Sequence, residues 1–448
     1  MNATGQTPLL AALEAYIHSN VSRQHMPGHK GRLPWPLDTA AVYDLTEVTG
    51  TDSLYEADGA IAEMERQYTA LYGSAASFLS AGGSTLCIQA MLALATQPGQ
   101  RILCARGVHT ATVNAMALLD LDPVWIVPEA GGDGLLSQLS PAAVDEALSA
   151  DAAIRAVYVT SPTYFGVISD IGGLAQVCHS HGVPLLVDNA HGSHLKFLPE
   201  AYGIAHPMEQ GADLCADSLH KTLPVLTGGA LLHVGNPRFV PDAKRKLALF
   251  GSTSPSYLIM LSCDMALAYC REQLPGELAR VCGGYDRLRQ LAAARGIPMP
   301  EGLCDPLRLT LDFSAVGYTG PEFGEYLRAN GIEPEYRSDS HCVFLGSPHT
   351  GEADFAAMER MLTELPLKEP LPRPAAAIPV PRRQCSVREA VFSTAERVSV
   401  ENSVGRTASS LVCPCPPGIP LVIPGEGISD DIASSLKSYG IFHINVVK

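Results

Sequence analysis

The sequence predicts an α/β protein built on a mostly parallel sheet with helices on both faces. Three observations carry this. Short apolar runs alternate with segments of helical period between residues 75 and 234. The runs are near-continuous rather than alternating in polarity, as strands covered on both faces must be. Polar residues collect just after the runs: Gly82-Gly83-Ser84-Thr85, His109, Ser161-Pro162-Thr163-Tyr164 and Asp188-Asn189-Ala190-His191. Ligands on such sheets sit outside the carboxyl ends of the strands.

Each element has its own justification. Thr7-Pro8 ahead of Leu9, Leu10, Leu13 and Ile17 reads as a capped helix with proline in its first turn. Residues 23–32 are rich in Gly, Pro and cations, which suits a loop facing an anion or solvent. The Pro-Gly between His25 and His29 argues against a metal pair on one helical face. Asp44 to Gly59 is an acidic loop, and Ile61, Met64, Tyr68 and Leu71 share one face of the helix that Gly73 ends. Strands are expected at 75–80, 101–105, 123–127, 154–160, 184–188, 213–216 and 228–234, the last antiparallel. Helices are expected at 86–95, 109–119, 141–148 and 174–181. Ser252-Thr253-Ser254-Pro255 leads into a long helix to about Cys270. A smaller αβ segment follows, with helices at 277–294, 322–329 and 354–362 and strands at 307–311 and 342–345. Six prolines between Pro366 and Pro381 mark a linker, and a short helix is expected at 387–392. The expected divisions are 1–58 (N-terminal helix and loops), 59–250 (large domain), 251–365 (smaller α/β segment), 366–384 (linker) and 385–448 (C-terminal domain).

The 448 residues suggest two to four domains, and 46% hydrophobic with 17% charged residues is an ordinary globular composition. A formal charge of −15 argues against a nucleic-acid partner. Of the 12 cysteines, Cys87, Cys104, Cys178 and Cys215 fall in apolar patterns and read as reduced core residues. Cys413-Pro414-Cys415 lacks a second metal-binding half, so no metal is expected. Met1 to Ala12 shows no signal pattern, and no apolar run reaches about 18 residues. A cytoplasmic location without membrane contact is expected.

The candidate chemistry lies in Ala216-Asp217-Ser218-Leu219-His220-Lys221-Thr222-Leu223-Pro224. Lys221 follows, by 33 residues, the aspartate Asp188 that ends an apolar strand. A pyridoxal phosphate (PLP) enzyme needs this pair: a lysine amine for the Schiff base and a carboxylate that keeps the pyridine nitrogen protonated. The Gly82–Thr85 turn opens a helix, where free N–H groups and the helix dipole favour a phosphate; an ordinary N-cap is the alternative. Ser252 to Ser256 is a second phosphate candidate, or a cap. His109 or His220 is the candidate proton donor, since histidine titrates near neutral pH.

His25-Met-Pro-Gly-His-Lys-Gly31, Asp44-Leu-Thr-Glu47, Gly82-Gly-Ser-Thr85, Val187-Asp-Asn-Ala-His-Gly192, Ser218-Leu-His-Lys-Thr-Leu-Pro224, Pro416-Pro-Gly-Ile-Pro420 and Pro424-Gly-Glu426 occur in this order along the chain. In these motifs the chain resembles the PLP-dependent ornithine/lysine/arginine decarboxylases of the aspartate-aminotransferase fold (fold type I), in their short form. The resemblance implies decarboxylation of arginine, lysine or ornithine to an amine and CO2, in polyamine biosynthesis. It implies that Lys221 is the Schiff-base lysine, that Asp188 pairs with the pyridinium and that His109 stacks on the ring. Ser84, Thr85, Ser218 and His220 would surround the phosphate, and Thr163 and His191 would flank the ring. Ser252 and Thr253 would reach a second subunit, making a homodimer the minimal unit. Candidates for the substrate's distal cation are Glu47, Asp52, Glu401 and Glu426. One departure is Cys415, where the family often has an aromatic residue. Another fold-type-I reaction (transamination or β-elimination) and a non-catalytic PLP-binding subunit are the alternatives.

Overall fold

The computed structural model describes residues 7–19, 21–127, 135, 138–372, 380–413 and 420–448. In chain order, α1 (Pro8–His18), α2 (Asp38–Ala41) and α3 (Ala60–Tyr72) lead into β1 (Ala76–Ser80). Then α4 (Gly83–Ala95), β2 (Arg101–Ala105), α5 (Thr110–Leu119), β3 (Asp122–Ile126), α6 (Pro141–Ala150) and β4 (Ile154–Thr160) follow. They are succeeded by α7 (Ile171–Ser180), β5 (Leu185–Asp188), β6 (Leu214–Asp217), the single turn α8 (Leu219–Thr222) and β7 (Ala230–Val234). These seven strands have the hydrogen-bonded order β1-β7-β6-β5-β4-β2-β3. Next come α9 (Val240–Phe250), α10 (Tyr257–Glu272), α11 (Leu274–Ala294), β8 (Arg308–Asp312), α12 (Gly320–Ala329), β9 (Tyr336–Arg337), β10 (His341–Leu345) and α13 (Glu352–Glu364). The last elements are α14 (Val387–Phe392), β11 (Ala395–Ser399), α15 (Asp430–Ser438) and β12 (His443–Val447).

The chain divides into two compact units. The first comprises residues 1–94, 186–281 and 347–349. In it β5 runs parallel to β6, while β7 is antiparallel to both β6 and β1. Strands β5, β6 and β7 are buried at every position, as the near-continuous apolar runs required. The second unit comprises residues 95–185, 282–346 and 350–448. There β2 pairs in parallel with β3 and β4, β10 lies antiparallel between β8 and β9, and β11 pairs with β12. Val400, Val422, Ile432, Leu436, Ile444 and Val446 belong to one apolar cluster, against which Val398 of β11 packs.

Two expectations need correction. The sequence reading has no helix where α9 lies, because only Ala243 and Leu247 of that helix are buried and the stripe they make is too narrow to stand out. Thr7 flanks α1 as expected, but its side chain makes no cap bond. The cap comes from far away: Asp264 on α10 accepts the Leu10 N–H through Oδ2 at 2.9 Å. Burial pushes the Asp264 carboxyl up to about 7, outweighing the backbone hydrogen bonds from Leu10 and Leu9 that pull it down.

That balance has a sign. A carboxyl with a raised pKa in the folded state holds its proton there and loses it in the unfolded chain, so its contribution to stability falls as pH rises from about 4 to about 7. We expect Asp264→Asn to gain melting temperature relative to wild type as pH is raised from 4 to 7, and to hold a constant offset above that. Parallel melting curves across this pH range would refute the account.

Candidate active site

The first unit assembles the lysine site from strand ends. β5 and β6 pair with Asp188 opposite Ala216, so the carboxylate lies beside the strand that delivers the lysine turn. Asp188 is buried, and its Oδ1 accepts the Ala190 N–H at 3.1 Å. After β6, the α8 turn places Lys221 with its Nζ 3.1 Å from His191 Nε2. Ser218 Oγ donates to Ser84 Oγ at 2.7 Å, which ties the lysine turn to the start of α4. Gly83 precedes Ser84 with φ +69°, a conformation that suits glycine. Its N–H goes to Gly228 O at 2.8 Å and that of Gly82 to Ser80 Oγ at 3.1 Å. The N–H groups that follow, in the first turn of α4, have no intrahelical acceptor and carry the positive end of the helix dipole. Thr85 is exposed in that turn. His220 donates from Nδ1 to Gly229 O at 3.0 Å. Burial pushes its imidazole below the ordinary value, against the pull of that hydrogen bond. The shift favours the neutral ring, with Nε2 as an acceptor. Ser252 and Thr253 are exposed ahead of α10, and Ser252 Oγ accepts the Ser254 N–H at 3.1 Å.

In the second unit His109 caps α5: it is exposed, and its Nδ1 accepts the Ala111 N–H at 3.1 Å. Thr163 is held from two sides. Its Oγ1 accepts the Val167 N–H at 3.1 Å, and Arg308 donates to Thr163 O and, at 2.6 Å, to Tyr164 O.

The four acids offered for the substrate's cation fare differently. Asp52 accepts backbone N–H groups of Ser53, Asp58, Gly59, Ile61 and Ala62, so it is the N-terminal cap of α3. Burial raises its pKa, but these bonds together leave the carboxyl below its ordinary value. Glu426 is bidentate to Arg106, at 2.8 and 2.7 Å, with both side chains buried. Glu401 pairs with Lys437 at 2.6 Å. Glu47 is exposed and accepts only a neighbour's hydroxyl, Thr46 Oγ1 at 2.5 Å, among the bonds described. Cys415 and Pro416 to Ile419 lie outside the described residues.

The sequence reading missed Arg106. Besides Glu426, the arginine donates to Pro420 O and Leu421 O, so it anchors the segment that contains Pro424-Gly425-Glu426. A cation closing an apolar strand was the available signal. It also missed a cluster of His206, Asp217 and His233, whose ligand-type atoms lie within 4.8 Å of one another.

Comparison with known proteins places this geometry. Residues 7–282 match the family model for the Orn/Lys/Arg decarboxylase major domain, and residues 372–440 that for its C-terminal domain. The chain therefore belongs to the Orn/Lys/Arg decarboxylase family, a class of PLP-dependent amino-acid decarboxylases. An arginine decarboxylase of Halalkalibacterium halodurans is 29% identical over 96% of this chain and 92% of its own length. The arginine decarboxylase of Bacillus subtilis is 27% identical over 95% and 92%. An uncharacterised Bacillus subtilis protein is 30% identical over 96% and 94%. Among solved structures, the lysine decarboxylase of Francisella novicida superposes with a TM-score of 0.84 at 17% identity, covering 99% of this chain and 81% of that one. The fold is that of PLP fold-type-I enzymes. No helix among the described residues is long and apolar enough to cross a membrane.

The residues present fit the cofactor. A buried carboxylate ends β5, a lysine amine stands on the next strand's turn, and hydroxyls sit at a helix start whose glycine turn lets the backbone approach closely.

The Arg106–Glu426 pair yields a stability prediction. Removing one partner of a buried ion pair strands the other charge, at a cost of about 3–5 kcal/mol. Glu426→Gln should lower the unfolding free energy by that order in urea titrations, whereas Arg106→Met with Glu426→Leu should recover most of it. Unchanged stability in Glu426→Gln would remove the pair's structural role.

Proposed function

We propose that this chain decarboxylates a basic amino acid, arginine ahead of lysine and ornithine, using PLP bonded through Lys221. The observation that carries the reading is the pairing of β5 with β6, which sets Asp188 beside the strand that leads to Lys221. Similarity over nearly the full chain to proteins named arginine decarboxylase supports arginine as substrate. When bound, PLP holds the substrate's amino group and takes up the electron pair left when CO2 departs.

The chain's own residues do the rest. Asp188 would accept a hydrogen bond from a protonated ring nitrogen, a charge-assisted contact worth about 1.5–3 kcal/mol. Ser84, Ser218 and the first turn of α4 would hold the phosphate. His191, 3.1 Å from Lys221 Nζ, orients the amine and shares its proton. Neutral His220 supplies an acceptor at Nε2. Glu47 is the acid left for a distal cation, since Asp52, Glu401 and Glu426 are committed to a cap or an ion pair. The exposed Ser252 and Thr253 suit contact with a second copy, so the active assembly in this reading is a homodimer in the cytoplasm.

The test is CO2 release from PLP-loaded protein given arginine, lysine or ornithine separately. Release from arginine supports the reading; a keto acid or ammonia as product would replace it with another PLP reaction. Lys221→Ala should abolish turnover, and full activity in that variant would sink the assignment. Asp188→Asn should keep the fold and lose roughly a hundredfold or more in rate, the order that a displaced or unpaired catalytic group costs. Wild-type turnover there would eliminate its role at the ring nitrogen.

A further inference from the structure

The His206–Asp217–His233 cluster has no part in the chemistry above, yet Asp217 is the residue before Ser218 and closes β6. Asp217, His206 and His233 are all fully buried. Asp217 Oδ1 accepts from Asn189 Nδ2 at 2.7 Å, and Cys215 Sγ lies 3.5 Å away. Oδ2 accepts from His206 Nε2 at 3.1 Å, and His233 Nε2 lies 3.4 Å from it. His233 is braced in turn by Ser77 of β1, whose Oγ is 2.7 Å from Nδ1, and by the Tyr72 ring, 4.4 Å between centroids.

The hydrogen bonds decide against a metal ion here. His206 Nδ1 accepts the Met208 N–H at 3.2 Å, which leaves a ring proton on Nε2, a nitrogen 3.1 Å from both Asp217 Oδ2 and Asn189 Nδ2. A metal would need that same nitrogen as a lone-pair donor. Burial raises the carboxyl's pKa, but the His206 and His233 rings that face it outweigh that and leave Asp217 ionised. An ionised carboxylate takes donors on both oxygens. Asparagine would turn an NH2 toward one of them.

The second link is Asn189. Its side chain goes to Asp217 and its N–H to Ala216 O at 3.0 Å, and it directly follows Asp188. We propose that Asp217 is a positioning residue for Lys221: its buried carboxylate fastens the end of β6 to the end of β5 and so fixes the lysine turn relative to Asp188. The proposal rests on the reading of Lys221 given above.

The experiment titrates PLP into the full-length apoprotein, then reduces with borohydride and maps the labelled peptide by mass. It compares wild type, Asp217→Asn, His206→Leu, His206→Gln and Ser77→Ala, with circular dichroism melts to report folding. Asp217→Asn and His206→Leu are expected to bind PLP roughly tenfold or more weakly and to label Lys221 in lower yield. His206→Gln restores an N–H toward Asp217 and is expected to stay within about threefold of wild type, a rescue that a space-filling role would not produce. Wild-type affinity and labelling in Asp217→Asn and His206→Leu overturn the proposal, as does a stoichiometric metal ion in purified wild-type protein. If those two variants do not fold, Ser77→Ala decides: a weakening of about two- to fivefold supports the positioning role, and unchanged affinity overturns it. Absence of label on Lys221 in wild type would instead refute the assignment of Lys221 itself.

Discussion

The parallel pairing of β5 with β6 is the constraint on which the lysine site depends. Val187 faces Cys215 and Asp188 faces Ala216 in that register. Both strands are buried on both faces, so their backbone groups have no water to fall back on and must pair. A slip of one residue would turn Asp188 to the opposite face of the sheet and carry the lysine turn with it. The bonds from Ser218 to Ser84 and from Asn189 to Asp217 act in the same direction, the first tying the lysine turn to the start of α4 and the second joining the ends of β5 and β6. The placement of Asp188 and the lysine turn is thus set by backbone pairing and then refined by short side-chain ties.

The carboxylates show how differently one residue type is used. Asp188 stands buried at a strand end, where the proposed reading gives it a cofactor's ring nitrogen, whereas Asp52 spends its oxygens on five backbone N–H groups. Asp264 caps a helix in a site so dry that its charge is disfavoured, and Asp217 keeps its charge in an equally dry site because two histidines face it. Burial alone does not decide ionisation; the count and charge of the donors do.

Much of this was legible in the sequence because it is written in local pattern. Continuous apolar runs located the strands, and the glycine turn with its hydroxyls located the start of α4. The lysine turn and the aspartate before it were readable because that pair is chemically unusual. What stayed hidden depends on partners far along the chain. Asp52 looks like a free acid until its fold-back onto α3 is seen. Arg106 looks like a strand-end cation until Glu426 meets it, and Asp217 looks like part of a motif until His206 and His233 arrive from separate segments. Strand β11 was missed for another reason: it is exposed or half-exposed along its length, so it lacks an apolar signature.

The Arg106–Glu426 bond spans 320 residues of sequence. The guanidinium thus waits for a carboxylate translated 320 residues later. Until residues 420–426 are made, Arg106 lacks the carboxylate and the two carbonyls that it meets in the folded chain. The second unit therefore gains this bond only after residue 426 has been made. In this sense the bond makes the packing at the β2 end contingent on a segment hundreds of residues away rather than on its sequence neighbours.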